Sequence, residues 1–276
     1  MICQKKDNAR VKFLLQETAR AGPAGAAAAA GPAFDGEIDR GSRTGLPGDH
    51  KLLYFRKGVE GQAMSTQPAA AFDALATEEQ VTSAAEALRQ RGIKVEVLDS
   101  AAAALARIRT IIPAGASVCT GASITLREIG FDDLLKTGDH GWKNLKAEFL
   151  AEKDPARQMQ LRRQSVLADF YLGSVHAVAE TGEVVVASMT GSQLAPYAYS
   201  ARNLVWVVGA QKITPTVDQA VRRVREFVLP HENERMLAQS GGKMGSRIGK
   251  LMIFEFEVAF LNRSVTLLFV RQKLGD

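Results

Sequence analysis

The chain has 276 residues, 46% of them hydrophobic, and a formal net charge of +5, which allows one large α/β domain or two small ones with a real core. No apolar run reaches the roughly 20 residues of a membrane span, and the two cysteines, Cys3 and Cys119, build neither a disulfide framework nor a four-cysteine iron–sulfur cluster. The basic balance is no nucleic-acid signature: ten of the 35 Lys/Arg and seven of the 30 Asp/Glu fall in residues 1–71, so the remainder is nearly neutral, offers little counterion release and carries no nucleic-acid-binding motif.

Residues 1–71 differ from the rest. Ala24 to Ala33 is almost entirely Ala, Gly and Pro, and Gly36 to Gly48 has no period of 2 or 3.6. Such a segment cannot bury enough apolar surface to offset its ordering entropy. Acidic Asp7, Glu17, Asp35, Glu37 and Asp39 argue against a transit peptide, and no secretory pattern is present. Met64-Ser65-Thr66-Gln67-Pro68 reads as an ordinary cytoplasmic N-terminus. The expectation is a disordered, low-complexity extension over 1–71, with Met64 the biological start and a folded domain over 72–276. A genuine disordered tail is the alternative.

From Thr77 the pattern is regular. Thr77-Glu78-Glu79-Gln80 is a capping box, and Val81, Ala84, Ala85 and Leu88 share one helical face. Gly92 ends that helix, and Ile93, Val95 and Val97 alternate as a strand. Asp99-Ser100 caps a second helix that stops before Pro113. The strand Ser117-Val118-Cys119 leads through a small-residue loop to a short helix from Ile124. Residues 132–152 read as polar and irregular. A helix from Asp154 to Ala168 precedes the strand Phe170-Tyr171-Leu172. The turn Ala179 to Glu183 opens the strand Val184 to Ser188, and Leu204 to Val208 is a further strand. A helix begins after Pro215 and is expected to end at Pro230. Two tail strands, Leu251 to Val258 and Ser264 to Val270, read as a C-terminal β-hairpin. Alternating β and α elements predict an α/β fold, a Rossmann-like, mostly parallel sheet.

Three loops after strands invite a ligand: Thr120-Gly121-Ala122-Ser123, Thr190-Gly191-Ser192-Gln193 and Gly209-Ala210-Gln211-Lys212. Open α/β sheets bind ligands at the carboxyl ends of their strands. Glycines there let backbone N–H groups approach an anion, and a following helix adds its positive end. Candidate ligand-binding residues are Gly121, Ser123, Thr125, Thr181, Gly182, Gly191, Ser192, Gln193, Gln211 and Lys212. Glu180, beside Gly182, is a candidate general base or carboxylate nucleophile. Each also has a plain structural reading: Ser123 as a helix cap, Glu180 as a turn acid, Lys212 as a surface lysine. Gly241-Gly242-Lys243-Met244-Gly245 reads as a mobile or ligand-covering loop. No G-x-G-x-x-G or G-x-x-x-x-G-K-[ST] pattern occurs. His140, His176 and His231 are too dispersed to predict a metal site, and no Ser-His-Asp order is legible.

Taken together, Ser117 to Gly130, Ala168 to Leu172, Ala177 to Glu183, Thr190 to Gln193, Val207 to Ile213, Leu229-Pro230 and Val270 to Gly275 resemble the LUD-domain family, named for lactate utilisation, and within it proteins like lactate-utilisation protein C. The likeness runs from about Phe72 onward. It implies a fold like that of the sugar-phosphate isomerase and CoA-transferase superfamily. It also implies a cytoplasmic, cluster-free subunit that binds a small anionic metabolite and supports oxidation of lactate to pyruvate with iron–sulfur oxidoreductase partners, holding no cofactor by itself. Ala122 departs from the glycine or serine of relatives. Two alternatives stand beside this: an independent CoA-transferase- or isomerase-like enzyme using Glu180, weakened by Thr181 in place of an amide residue, and a non-catalytic assembly or regulatory subunit. A chain beginning at Met64 is expected to melt cooperatively at the temperature of the full chain; a loss of several kcal/mol on truncation would show that the leader packs on the core.

Overall fold

A computed structural model describes residues 72–276. The leader assignment and Met64 lie outside the described residues. Helix α1, Glu78–Gln90, starts at the capping box: Thr77 accepts from the Gln80 N–H, and the Gln80 side chain accepts from the Thr77 N–H. The strand β1, Lys94–Leu98, follows, then α2, Ala101–Ile111, with Ser100 as its cap. Next come β2, Ser117–Thr120, and the short α3, Ile124–Glu128.

Residues 132–152 are ordered, contrary to the irregular expectation. They form α4, Phe131–Thr137, β3, Lys143–Asn144, and α5, Leu145–Ala151. These elements are too short to hold themselves together. They are fixed by Phe131, Leu134, Leu135, Trp142 and Phe149, which are buried among charged neighbours that hide the pattern. The chain continues with α6, Pro155–Gln164, β4, Phe170–Gly173, β5, Ala177–Ala179, and β6, Val184–Ser188. It then forms β7, Asn203–Gly209, and β8, Ile213–Thr214.

Pro230 does not end the next helix. Helix α7, Val217–Arg223, passes through a π-turn at Val224–Val228 into α8, Leu229–Gln239. The widened turn lies just before the proline and accommodates both its ring and its missing N–H. The strands β9, Lys250–Phe254, and β10, Ser264–Val270, close the order.

The fold is α/β, built on a parallel six-stranded sheet in the order β1-β10-β7-β4-β2-β3, beside a four-stranded sheet β8-β5-β6-β9. The expected C-terminal hairpin is absent: β9 pairs antiparallel with β6, while β10 inserts between β1 and β7. The reason lies in the side chains. In β10, Val265 to Val270 are all buried, the mark of a parallel strand covered on both faces. In β9, Lys250 and Ile253 are exposed, as suits an edge. On one face of the large sheet Leu204, Trp206, Val208, Leu267 and Phe269 pack with α1 and with Val184 and Val186 of the second sheet. On the other face Val205, Val207, Leu268 and Val270 meet Ile108, Leu126, Phe131 and Trp142.

Trp142 anchors the segment between α4 and α5. Its Nε1 donates to the Ile112 carbonyl at 3.2 Å, and its ring lies beside Phe131 and His140. Trp142→Ala is expected to cost about 3–5 kcal/mol in urea unfolding; a change below about 1 kcal/mol would fit an irregular surface segment instead.

Candidate functional site: a lysine-floored cavity

The strands β2, β4 and β7 are neighbours and parallel, so their carboxyl ends share one edge of the sheet. Three connections leave that edge. After β2, Ser123 caps α3, its Oγ accepting from the Leu126 N–H at 3.2 Å. After β4 come Ser174, Val175 and His176. After β7, Ala210, Gln211 and Lys212 make one 3₁₀ turn. All three connections border one cavity of about 210 Å³, together with residues after β6, the side of α8, Ser246 to Ile248, and Gly275-Asp276.

Lys212 is the chemical centre of this cavity. It is only 3% exposed. Its Nζ donates to Thr125 Oγ1 at 3.2 Å and to Ser174 Oγ at 3.3 Å. Both hydroxyls give their own protons to backbone carbonyls, Thr125 to Leu274 and Ser174 to Val175. They therefore face Lys212 as acceptors. No carboxylate lies within salt-bridge distance of Nζ among the described residues. Burial, reinforced by the Arg223 guanidinium, pulls Lys212 down to about 7 against the opposing pull of Asp276 and Glu128.

His176 is the second polar group. Its Nδ1 accepts from the Ala187 N–H at 3.1 Å, so the ring proton sits on Nε2. Burial, with Lys212 and Arg223 nearby, lowers this histidine to about 3, and the ring is neutral at physiological pH. Beneath both lies Arg223, fully buried, donating through Nε to the Phe72 carbonyl and through Nη1 to the His176 carbonyl. Its Nη2 has no partner among the described residues. At the mouth stand Arg127 and Arg247, both exposed, and Arg235, which is paired with Glu232.

Two glycines shape the walls. A Cβ on Gly173 would lie 1.6 Å from the Tyr197 hydroxyl, so only glycine lets that ring cross the end of β4. Tyr197 then donates to the Ser174 carbonyl at 3.0 Å. Gly275 has φ +63°, and a Cβ there would lie 2.5 Å from Thr125 Oγ1 and 3.1 Å from Lys212 Nζ.

Of the residues expected from sequence, Ser123, Thr125, Gln193 and Lys212 line the cavity. Gly121 is not in the lining; a Cβ added to it would lie 3.2 Å from Gln193 Oε1, so the 121 and 193 loops are close neighbours. Gln211 is buried and ties the C-terminal tail, donating to the carbonyls of Leu274 and Gly275 at 3.0 and 2.9 Å. Gly191 and Ser192 lie outside the lining, and the Ser192 and Thr190 hydroxyls bond each other. Glu180, Thr181 and Gly182 are not brought to the cavity. Glu180 accepts from Gln80 Nε2 at 2.8 Å, the Thr181 carbonyl accepts from Arg91, and Gly182 fits against the end of α1. Sequence reasoning missed Ser174, His176, Arg127, Arg247 and Asp276 as lining residues. Gly173-Ser174-Val175-His176 carried a usable signal, a small-residue loop straight after a strand.

The architecture is that of an open α/β sheet with a cavity bordered by basic side chains at its carboxyl edge, the place where sheets of this class generally hold ligands. The sequence model of the LUD domain family matches residues 81–250, and the chain belongs to this family, which takes its name from lactate utilisation. A solved structure described as a DUF162 family protein from Deinococcus radiodurans is similar at 12% identity and a TM-score of 0.44, covering 71% of this chain and 98% of that one. No curated protein matches the chain.

The depressed lysine leaves a signature in stability. Between about 7 and the ordinary value of 10.5, the unfolded chain holds the Lys212 proton and the folded one does not. Folding is therefore favoured increasingly as pH rises through that window, by at most about 1.4 kcal/mol per pH unit. Wild type should gain stability over Lys212→Met across this range in urea midpoints. A constant difference would mean that the buried amine stays protonated.

Proposed function

We propose that the chain is a subunit that binds a small anionic metabolite at the Lys212 cavity and supports the oxidation of lactate to pyruvate with iron–sulfur partner proteins in the cytoplasm. The observation that carries this reading is a buried lysine on the floor of a compact cavity with Arg127 and Arg247 at its mouth. A volume of about 210 Å³ is smaller than the roughly 300–1,000 Å³ typical of drug-sized ligands and suits a compact acid. The neutral His176 supplies an Nε2 donor for a carboxylate without adding charge. Family membership supports the link to lactate.

Removing two electrons from lactate requires an acceptor that side chains do not supply. The two cysteines of this chain are too few for a four-cysteine cluster; Cys119 is buried, and among the described residues no group of three or more His, Cys, Asp or Glu could hold a metal ion. The acceptor is accordingly assigned to a partner. Among the described residues no helix is long and apolar enough to cross a membrane.

Calorimetry of the purified full chain should show saturable binding of lactate or pyruvate, weakened at least about tenfold, roughly 1.4 kcal/mol, in Lys212→Met. Lactate-dependent dye reduction should require a cluster-bearing partner. Turnover by the chain alone, or binding indifferent to Lys212, would overturn the assignment.

A further inference from the structure

Lys212 does more than attract an anion. We propose that Lys212 is a nucleophile that forms an imine with the carbonyl carbon of a small 2-oxo acid seated in the cavity. The inference rests on the small-anion reading above and names its substrate class.

Three observations place the amine for this step. The first is its hydrogen bonding. A neutral amine has two N–H donors and one lone pair. Thr125 Oγ1 and Ser174 Oγ, held as acceptors by their own donations to backbone carbonyls, take the two N–H groups. The lone pair is then left over, and Lys212 borders the cavity. The second is the lack of a counter-ion. Buried lysines are ordinarily paired, yet among the described residues none of the salt bridges includes Lys212. The third is the surroundings. The charged and titratable groups that face Lys212 are Arg223 from α7, Glu128 from α3, Asp276 from the tail and the neutral His176. Arg223 opposes protonation, as burial does, and the two acids favour it. The balance leaves a large neutral fraction near physiological pH, the condition that buried Schiff-base lysines require.

The chemistry closes without a redox partner. The Nζ lone pair attacks C2, the carbonyl π pair moves to oxygen, and the proton lost by nitrogen passes to that oxygen. The resulting carbinolamine expels its hydroxyl as water, the nitrogen lone pair closes the C=N bond, and the remaining N–H proton, lost from nitrogen, balances the proton taken up by the leaving hydroxyl. Amine plus ketone gives imine plus water. The carboxylate next to the carbonyl has Arg127, Arg247 and the His176 Nε2–H as candidate partners. A 2-hydroxy acid has no carbonyl carbon to attack, so the site would discriminate pyruvate from lactate by covalent capture of the first alone.

The test is reductive trapping. Full-length protein is incubated near neutral pH with pyruvate and cyanoborohydride, digested and mapped by mass spectrometry, and pyruvate binding is measured calorimetrically in parallel. The expected result is a single modified lysine, Lys212, heavier by pyruvic acid less one oxygen atom, with no adduct from lactate and none at position 212 in a folded Lys212→Arg variant. Saturable pyruvate binding without an adduct on wild-type Lys212, or adducts scattered over surface lysines at equal yield, would overturn the imine and leave the anion site standing. Neither binding nor adduct would overturn both. The wild-type map gives its answer even if the variant fails to fold.

Discussion

Two basic side chains, Lys212 and Arg223, lie inside the protein with no carboxylate among the described residues in contact with either, and the arrangement of the cavity follows from that constraint. A buried charge without a partner is costly. Arg223 cannot shed its proton at physiological pH, even with burial lowering it to about 10. It is stabilised instead by two backbone carbonyls, Phe72 and His176, and by the Phe227 ring 5.1 Å away. Lys212 has the other option. Pressed by burial and by its cationic neighbour, it is relieved by giving up its proton. The fixed charge thus adds to the larger effect of burial in lowering the adjustable one. His176 connects them, since its carbonyl receives Arg223 while its ring borders the same cavity as Lys212.

The C-terminal tail forms one wall of the cavity beside Lys212. Gln211 clasps Leu274 and Gly275 from the loop after β7, accepting from the Leu274 N–H and donating to both carbonyls. Thr125 donates to the Leu274 carbonyl, and Glu128 accepts from the Gly275 N–H at 2.6 Å. Three elements distant in sequence, the β7 turn, α3 and the tail, therefore close around one amine. Thr125 does two jobs with a single oxygen, donating to the tail and accepting from Lys212. A change at the tail would reach the lysine through that hydroxyl.

What was legible in the sequence tracks how local the determinant is. The capping box at Thr77, the cap at Ser100 and the alternation of β1 depend on neighbours within a few residues, and they appear in the structure as read. The α4–α5 region was not legible, because its buried residues are sparse and are held by distant partners such as Ile112 beneath Trp142. The continuation past Pro230 depends on a π-turn, which leaves no pattern at period 3.6. At the site, small-residue loops after parallel strands pointed to the sheet edge that carries the cavity lined by Ser123, Thr125, Gln193 and Lys212. They could not show which side chains turn inward. Glu180 looked chemical because it sits beside a glycine, but Gly182 is there for close packing on α1.

The boundaries of family and site do not coincide, and this bears on what the site selects. The family match ends at residue 250. Yet β10 and the tail beyond it supply a central strand of the large sheet and the Gly275-Asp276 wall of the cavity. Lys212, Ser174 and His176 fall inside the matched span, whereas the acid at 276 that draws Lys212 toward its charged form falls outside it. The nucleophile and its acceptors thus belong to the part of the chain matched by the family, and one of the charges that tunes it belongs to the part that is not. The tail therefore enters the electrostatics of Lys212, while the strand ends that position the amine lie within the matched span.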